Sequence, residues 1–257
     1  MFAIVARVVC SFLLWLSFYV AIRSWNKSRT PEWTVRLITL MHGLIVTFLS
    51  GYIALIDGPW PLTHPGHPNT PLQITLLCLS LGYFFFDFGW CVYYNSEDEL
   101  MIYHHILCIS GMGGVLVMGV SGSEINALIF VAEITNPLLQ IRWFLRDMGH
   151  YEGMAGEVVD TLFVLLFLGL RIGGGVWIVL AVLTSAKPNW EVKAGVLLMY
   201  FVSIVFAWDI VKFVKRKMMK KYEACRKERT ERERSKSNGH VLGHQTNHDT
   251  QPTNGVL

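Results

Sequence analysis

The sequence predicts an all-α membrane protein with seven transmembrane helices. Two observations carry that expectation. Of 257 residues, 53% are hydrophobic and only 16% charged, whereas soluble domains hold about 45–50% apolar and about 25% charged residues. The apolar residues also fall into stretches close to the length of about 20 that crosses a hydrocarbon core: 2–22, 35–56, 72–94, 100–120, 124–144, 158–183 and 192–214. The formal net charge of +3 hides an asymmetry, because residues 1–211 carry 10 Lys+Arg against 14 Asp+Glu while residues 212–236 carry 12 against 4. A near-neutral apolar body with a basic end excludes a disordered acidic regulator and argues against a nucleic-acid partner.

The first span has no basic start before Arg7 and no small-residue cleavage pattern at Ala21-Ile22-Arg23-Ser24-Trp25, so it reads as a retained anchor. Arg23, Lys27, Arg29 and Arg36 follow it and place the N-terminus luminal or extracellular. Lys212, Lys215, Arg216, Lys217, Lys220 and Lys221 follow the last span and place the C-terminus in the cytosol, with six crossings between the two basic regions. These residues set topology, or alternatively hold anionic lipid headgroups. Three segments follow: 1–34, an anchor and basic cytosolic loop; 35–214, six membrane helices; 215–257, a basic and then, from 237, disordered tail. The orientation leaves the acceptor sequon Asn26-Lys27-Ser28 unmodified.

Loop 57–71 carries Pro59, Pro61, Pro65, Pro68 and Pro71, and proline fixes φ and removes a donor, which predicts a stiff non-helical cap. His64 and His67 in that loop read as surface polarity more readily than as metal ligands. His240, His244 and His248 have helical i, i+4, i+8 spacing, but they lie in a Gly/Asn/Thr/Gln-rich tail. No HxxxH or HxxHH set occurs within the spans, so no metal is expected. Cys10, Cys78, Cys91 and Cys108 sit in apolar stretches and read as packing residues, while Cys225 in the tail is a candidate for palmitoylation.

The informative positions are ionisable residues inside the spans, since a charge at mid-bilayer costs about 2.5–3.5 kcal/mol on insertion scales. They are His42, Asp87, His104, His105, Glu133, Asp160, Arg171 and Asp209, with the amides Asn136 and Gln140. Glu133, Asn136 and Gln140 share one helix stripe, interrupted by Pro137, and Tyr83, Asp87, Trp90 and Tyr94 form another whose aromatics suit membrane interfaces. Asp160 and Arg171 lie 11 residues apart on one face, about 16 Å along the axis, and therefore pair with other helices. His104 and His105 point about 100° apart. A neutral imidazole beside a carboxylate suits a general base or nucleophile, and the competing reading is a pair that binds helices together.

Gly82-Tyr83-Phe84-Phe85-Phe86-Asp87, then Tyr103-His104-His105, then Glu133-Ile134-Thr135-Asn136-Pro137 resemble the TLC-domain family, which includes ceramide synthases and translocating-chain-associated membrane proteins. The resemblance covers about residues 35–214. It implies six helices around a cavity that receives a lipid chain, residence in the endoplasmic reticulum in preference to the plasma membrane, and lipids as partners. In ceramide synthases a histidine pair and downstream acids serve transfer of an acyl group from acyl-CoA to a sphingoid amine. His104 and His105 match that pair and Glu133 lies near the first acid, but Asn136 stands near the second, and an amide is no carboxylate base. The expectation is a protein that binds lipid in its cavity and influences membrane lipid composition. As an enzyme it would transfer acyl groups to a lipid amine or alcohol, with acyl-CoA as co-substrate and no other cofactor. His104 or His105 would then be base or nucleophile, oriented by Asp87 or Glu133, with His42, Asn136, Gln140, Asp160, Arg171 and Asp209 lining the cavity. The alternative is a non-enzymatic lipid sensor, chaperone or cargo adaptor. A small-solute transporter is disfavoured by the lack of repeats and paired broken helices.

Overall fold

A computed structural model describes residues 1–246, with side chains described through residue 233. Its described elements are helical: α1 (Phe2–Trp25), α2 (Pro31–Tyr52), α3 (Pro71–Tyr94), α4 (Glu99–Met118), α5 (Gly122–Glu133), α6 (Asn136–Asp147), α7 (Met154–Leu166), α8 (Gly175–Thr184) and α9 (Trp190–Thr246). Two wider π-helical segments, Ile53–Asp57 and Phe167–Gly174, extend α2 and join α7 to α8. Joined in this way, seven helices are long and apolar enough to cross a membrane: Phe2–Trp25, Pro31–Asp57, Pro71–Tyr94, Glu99–Met118, Gly122–Asp147, Met154–Thr184 and Trp190–Glu233.

Local chemistry sets the ends that position the site. Thr30 and Thr70 each cap a helix whose first residue is proline, and Thr70 forms a reciprocal capping box with Gln73. Asp98 accepts from the Met101 amide at 2.9 Å and so fixes the start of α4, two turns before its histidines. Pro137 lacks the amide hydrogen that would continue the fifth span. The ladder breaks there, and α5 and α6 meet at Ile134 and Thr135.

Two compact units divide the chain, residues 1–207 and the chain from Trp208 onward. In the first, the main core gathers Trp15, Val35, Ile38, Leu77, Leu81, Tyr83, Phe86, Met112, Val115, Val131 and Val196 from several helices. α1 packs chiefly along α3, and α2 lies against α5 and α6. Gly82 permits the first contact, since a Cβ there would meet Ser11 at 2.5 Å. Ser11 Oγ donates to the Leu79 carbonyl at 2.8 Å in the same seam. The anchor is thus an integral part of the bundle. Tyr83 departs from the interface role expected for its stripe: it is 2% exposed and belongs to the core.

Loop 58–70 contains no helix and is fastened at several points. The Gly66 amide donates to Glu124 at 2.5 Å, the Gly122 amide to Asn69 at 2.7 Å, and the Ser121 amide to the His67 carbonyl at 2.9 Å. Ser123 Oγ holds the other Glu124 oxygen at 2.7 Å.

In the second unit, α9 stays helical as far as Thr246, where the sequence predicts disorder from residue 237. The rest of that predicted segment, 247–257, lies outside the described residues, as do the side chains of His240, His244 and His248.

Candidate functional site

Asp87 on α3 and His105 on α4 meet near the ends of their helices that flank the 95–98 turn. His105 Nε2 lies 2.9 Å from Asp87 Oδ2, and its Nδ1 lies 2.8 Å from the Met101 carbonyl oxygen. A carbonyl can only accept, so Nδ1 carries a hydrogen and Nε2 is the nitrogen presented to the carboxylate. Phe84 and Phe88 flank the ring, with centroids at 5.8 and 6.2 Å. His105 is buried, and Asp87 is partly so.

His104 faces elsewhere, as the rotation per residue requires. Its Nε2 lies 3.6 Å from Cys108 Sγ one turn on, and its ring meets Phe206 edge-on at 5.9 Å.

A second histidine–carboxylate pair lies between α2 and α5. His42 is fully buried, with Nδ1 3.8 Å from Glu133 Oε2. Its ring stacks on Tyr83 at 3.7 Å and meets Trp15 edge-on at 5.6 Å. Tyr83 in turn donates to Thr39 at 2.9 Å. From Glu133 an amide relay follows the predicted stripe. Asn136 Nδ2 donates to Glu133 Oε2 at 3.1 Å, and Gln140 Nε2 to Asn136 Oδ1 at 3.1 Å. Arg36 Nη1 reaches Gln140 Oε1 at 3.5 Å and closes the relay at the end of α2 that carries Glu32.

Arg171 projects from the π-helical segment. It donates to Ser203 at 3.2 Å and to the Ala132 carbonyl at 3.5 Å, next to the helix break before Pro137. Thr135 Oγ1 donates to the same carbonyl at 3.0 Å.

Two further residues were expected to line the cavity. Asp160 pairs with Arg142 at 2.9 Å and accepts from Tyr151 at 2.7 Å, joining α7 to α6 and the 148–153 turn. Asp209 departs from the expected cavity position: its carboxylate is exposed and pairs at 3.1 Å with Lys212, one turn along α9. Two residues near the centre, Trp15 and Ser203, were not singled out from sequence, and Cys91 was read only as a packing residue. Trp15 and Ser203 are reached by packing across helices, which no local pattern reveals. Cys91 had a readable signal, its i, i+4 spacing from Asp87. The Asp87 carboxylate, Cys91 Sγ and His105 imidazole fall within 4.8 Å of one another.

Residues 32–221 match the TLC domain. The chain belongs to the TLC-domain family. Its similarity to curated members is modest. It is 27% identical over 132 residues to TLC domain-containing protein 4-B of Danio rerio, covering 48% of this chain and 47% of that protein. It is 26% identical over 151 residues to the TLC domain-containing protein At5g14285 of Arabidopsis thaliana, covering 57% and 58%. A Dictyostelium discoideum relative, TLC domain-containing protein 4 A, is 22% identical over 145 residues, covering 54% and 55%. The chain thus spans about half the length of the curated relatives it matches. Every predicted site residue falls inside the TLC match, and α1 with Trp15 precedes it. As a TLC-domain chain this is a multi-pass membrane protein of a family linked to lipid handling.

Proposed function

We propose that this TLC-domain protein binds lipid within its bundle and alters membrane lipid composition by acyl transfer from acyl-CoA to a lipid amine or alcohol. The observation that supports the reading is the pair of buried His105 with partly buried Asp87, 2.9 Å apart with the imidazole tautomer set by the Met101 carbonyl. Acyl transfer needs a base that takes the proton of the attacking amine or hydroxyl, and a carboxylate that orients and supports the resulting imidazolium. With Nδ1 held by the Met101 carbonyl, His105 takes that proton at Nε2 in exchange for its contact with Asp87, and CoA leaves as the thiol. His104 is the second candidate base, and Glu133 with His42 is the second acid–histidine pair. Arg171, Asn136 and Gln140 supply fixed donors toward developing negative charge. The protein lies in the endoplasmic reticulum with its N-terminus luminal and its tail cytosolic.

The reading is tested with protein in lipid nanodiscs, labelled acyl-CoA and a panel of lipid amines and alcohols. Acylated product from wild type, lost in His104→Ala/His105→Ala, supports it. No product from wild type across the panel removes the enzymatic form and leaves a lipid sensor, chaperone or cargo adaptor.

A further inference from the structure

Asp87 and Cys91 stand one turn apart on α3, and His105 faces them from α4. Their donor atoms lie within 4.8 Å of one another. With Nδ1 of His105 donating to Met101, the neutral imidazole turns a lone pair on Nε2 toward a carboxylate oxygen 2.9 Å away. Two acceptors at that distance repel unless a cation lies between them. A proton would serve for the pair alone, but the cluster has a third member, and a buried thiol beside them is a soft donor that a proton bridge does not need. We propose that Asp87, Cys91 and His105 bind a zinc-like divalent ion.

The chemistry of the donor set supports that ion. Imidazole, thiolate and carboxylate are the zinc-binding side chains, and three of them with a fourth position open is the pattern of sites that bind substrate at the metal. The backbone-bonded Nδ1 is the usual outer support of a metal-binding histidine, because it fixes the tautomer and aims Nε2. A carboxylate and a thiolate together carry two negative charges, so a divalent ion makes the site neutral. Neutrality suits surroundings lined by Phe84 and Phe88, where an unbalanced charge is costly. No metal was expected from sequence because the ligands come from two helices and form none of the one-helix histidine motifs. The site shares Asp87 and His105 with the acyl-transfer reading and gives them a different role. With the ion bound, Asp87 and His105 are its ligands and the base role passes to His104.

The test uses full-length protein in nanodiscs, purified without chelator, loaded with Zn(II) or Co(II) and freed of excess metal. Wild type is expected to retain one ion per chain by mass spectrometry. Its Co(II) form should show a near-ultraviolet thiolate-to-cobalt band that Zn(II) abolishes. Cys91→Ser should lose that band and His105→Ala the stoichiometric ion, whereas Cys78→Ser, a buried cysteine outside the cluster, should keep both. Wild type that retains no ion, a Co(II) spectrum without the thiolate band, or a band that survives Cys91→Ser overturns the proposal. If a variant does not fold, the wild-type cobalt spectrum decides alone. No acyl substrate is present, so failure here leaves the acyl-transfer test standing, and failure of that test leaves this one standing.

Discussion

At the scale of single residues, several buried ionisable groups have a partner on another helix. His105 has Asp87, Glu133 has His42 and Asn136, and Asp160 has Arg142. Removing one member of such a pair leaves the other buried without its counterpart, which costs more than the pair itself contributes. Asp87→Asn keeps the volume but removes the charge that orients His105. Acyl transfer by this variant is expected to fall about 10²–10⁴-fold, the range of a general-base contribution, in a turnover assay. A melting temperature near wild type would show that the loss is chemical. Turnover unchanged in Asp87→Asn would show that the pair only joins α3 to α4. The identities of these polar residues were legible, because lipid makes an ionisable side chain conspicuous. Their partners were not, because pairing depends on helix rotation and inter-helix distance. Asp209 shows the limit: its place in an apolar run suggested an enclosed position, yet Lys212 one turn away is its partner.

At the scale of elements, close helix contacts and a fastened loop hold these residues in register. A Cβ at Gly82 would sit 2.5 Å from Ser11, whereas one at Gly89 would meet nothing within 4 Å. Gly82→Ala is therefore expected to push α1 off α3 at an overpacking cost of about 1–3 kcal/mol. Thermal unfolding in detergent should show a lowered midpoint for Gly82→Ala and an unchanged or raised one for Gly89→Ala. Equal midpoints would contradict the seam. Glu124 has a comparable role for loop 58–70, accepting the Gly66 amide and the Ser123 hydroxyl. Hydrogen bonds to a charged acceptor are worth about 1.5–3 kcal/mol. Glu124→Ala should therefore raise hydrogen–deuterium exchange at residues 64–70 while leaving α3 protected, and exchange unchanged there would remove the latch. The first six spans were legible to within a few residues, since length and hydropathy define them, whereas the last, expected at 192–214, continues as one helix to Thr246. The break at Ile134 and Thr135 was legible from Pro137. The π-helical segment carrying Arg171 was not, because its register depends on contacts with Ala132 and Ser203 in other helices.

At the scale of the whole molecule, a seven-span TLC-domain chain carries buried polar groups between its helices. The charge pattern predicts an orientation with Asn26 on the cytosolic side, in which the Asn26-Lys27-Ser28 sequon remains unmodified. Treatment with an endoglycosidase should leave the electrophoretic mobility of the expressed chain unchanged, and a shift would reverse the orientation. The central claim is that the histidine–carboxylate centre carries the effect on lipids. It is tested most directly by the lipid profile of cells that lack the protein and are resupplied with wild type or His104→Ala/His105→Ala at equal abundance. The account predicts that wild type restores the profile and the double variant leaves it as in the deficient cells. Full restoration by the double variant would contradict it.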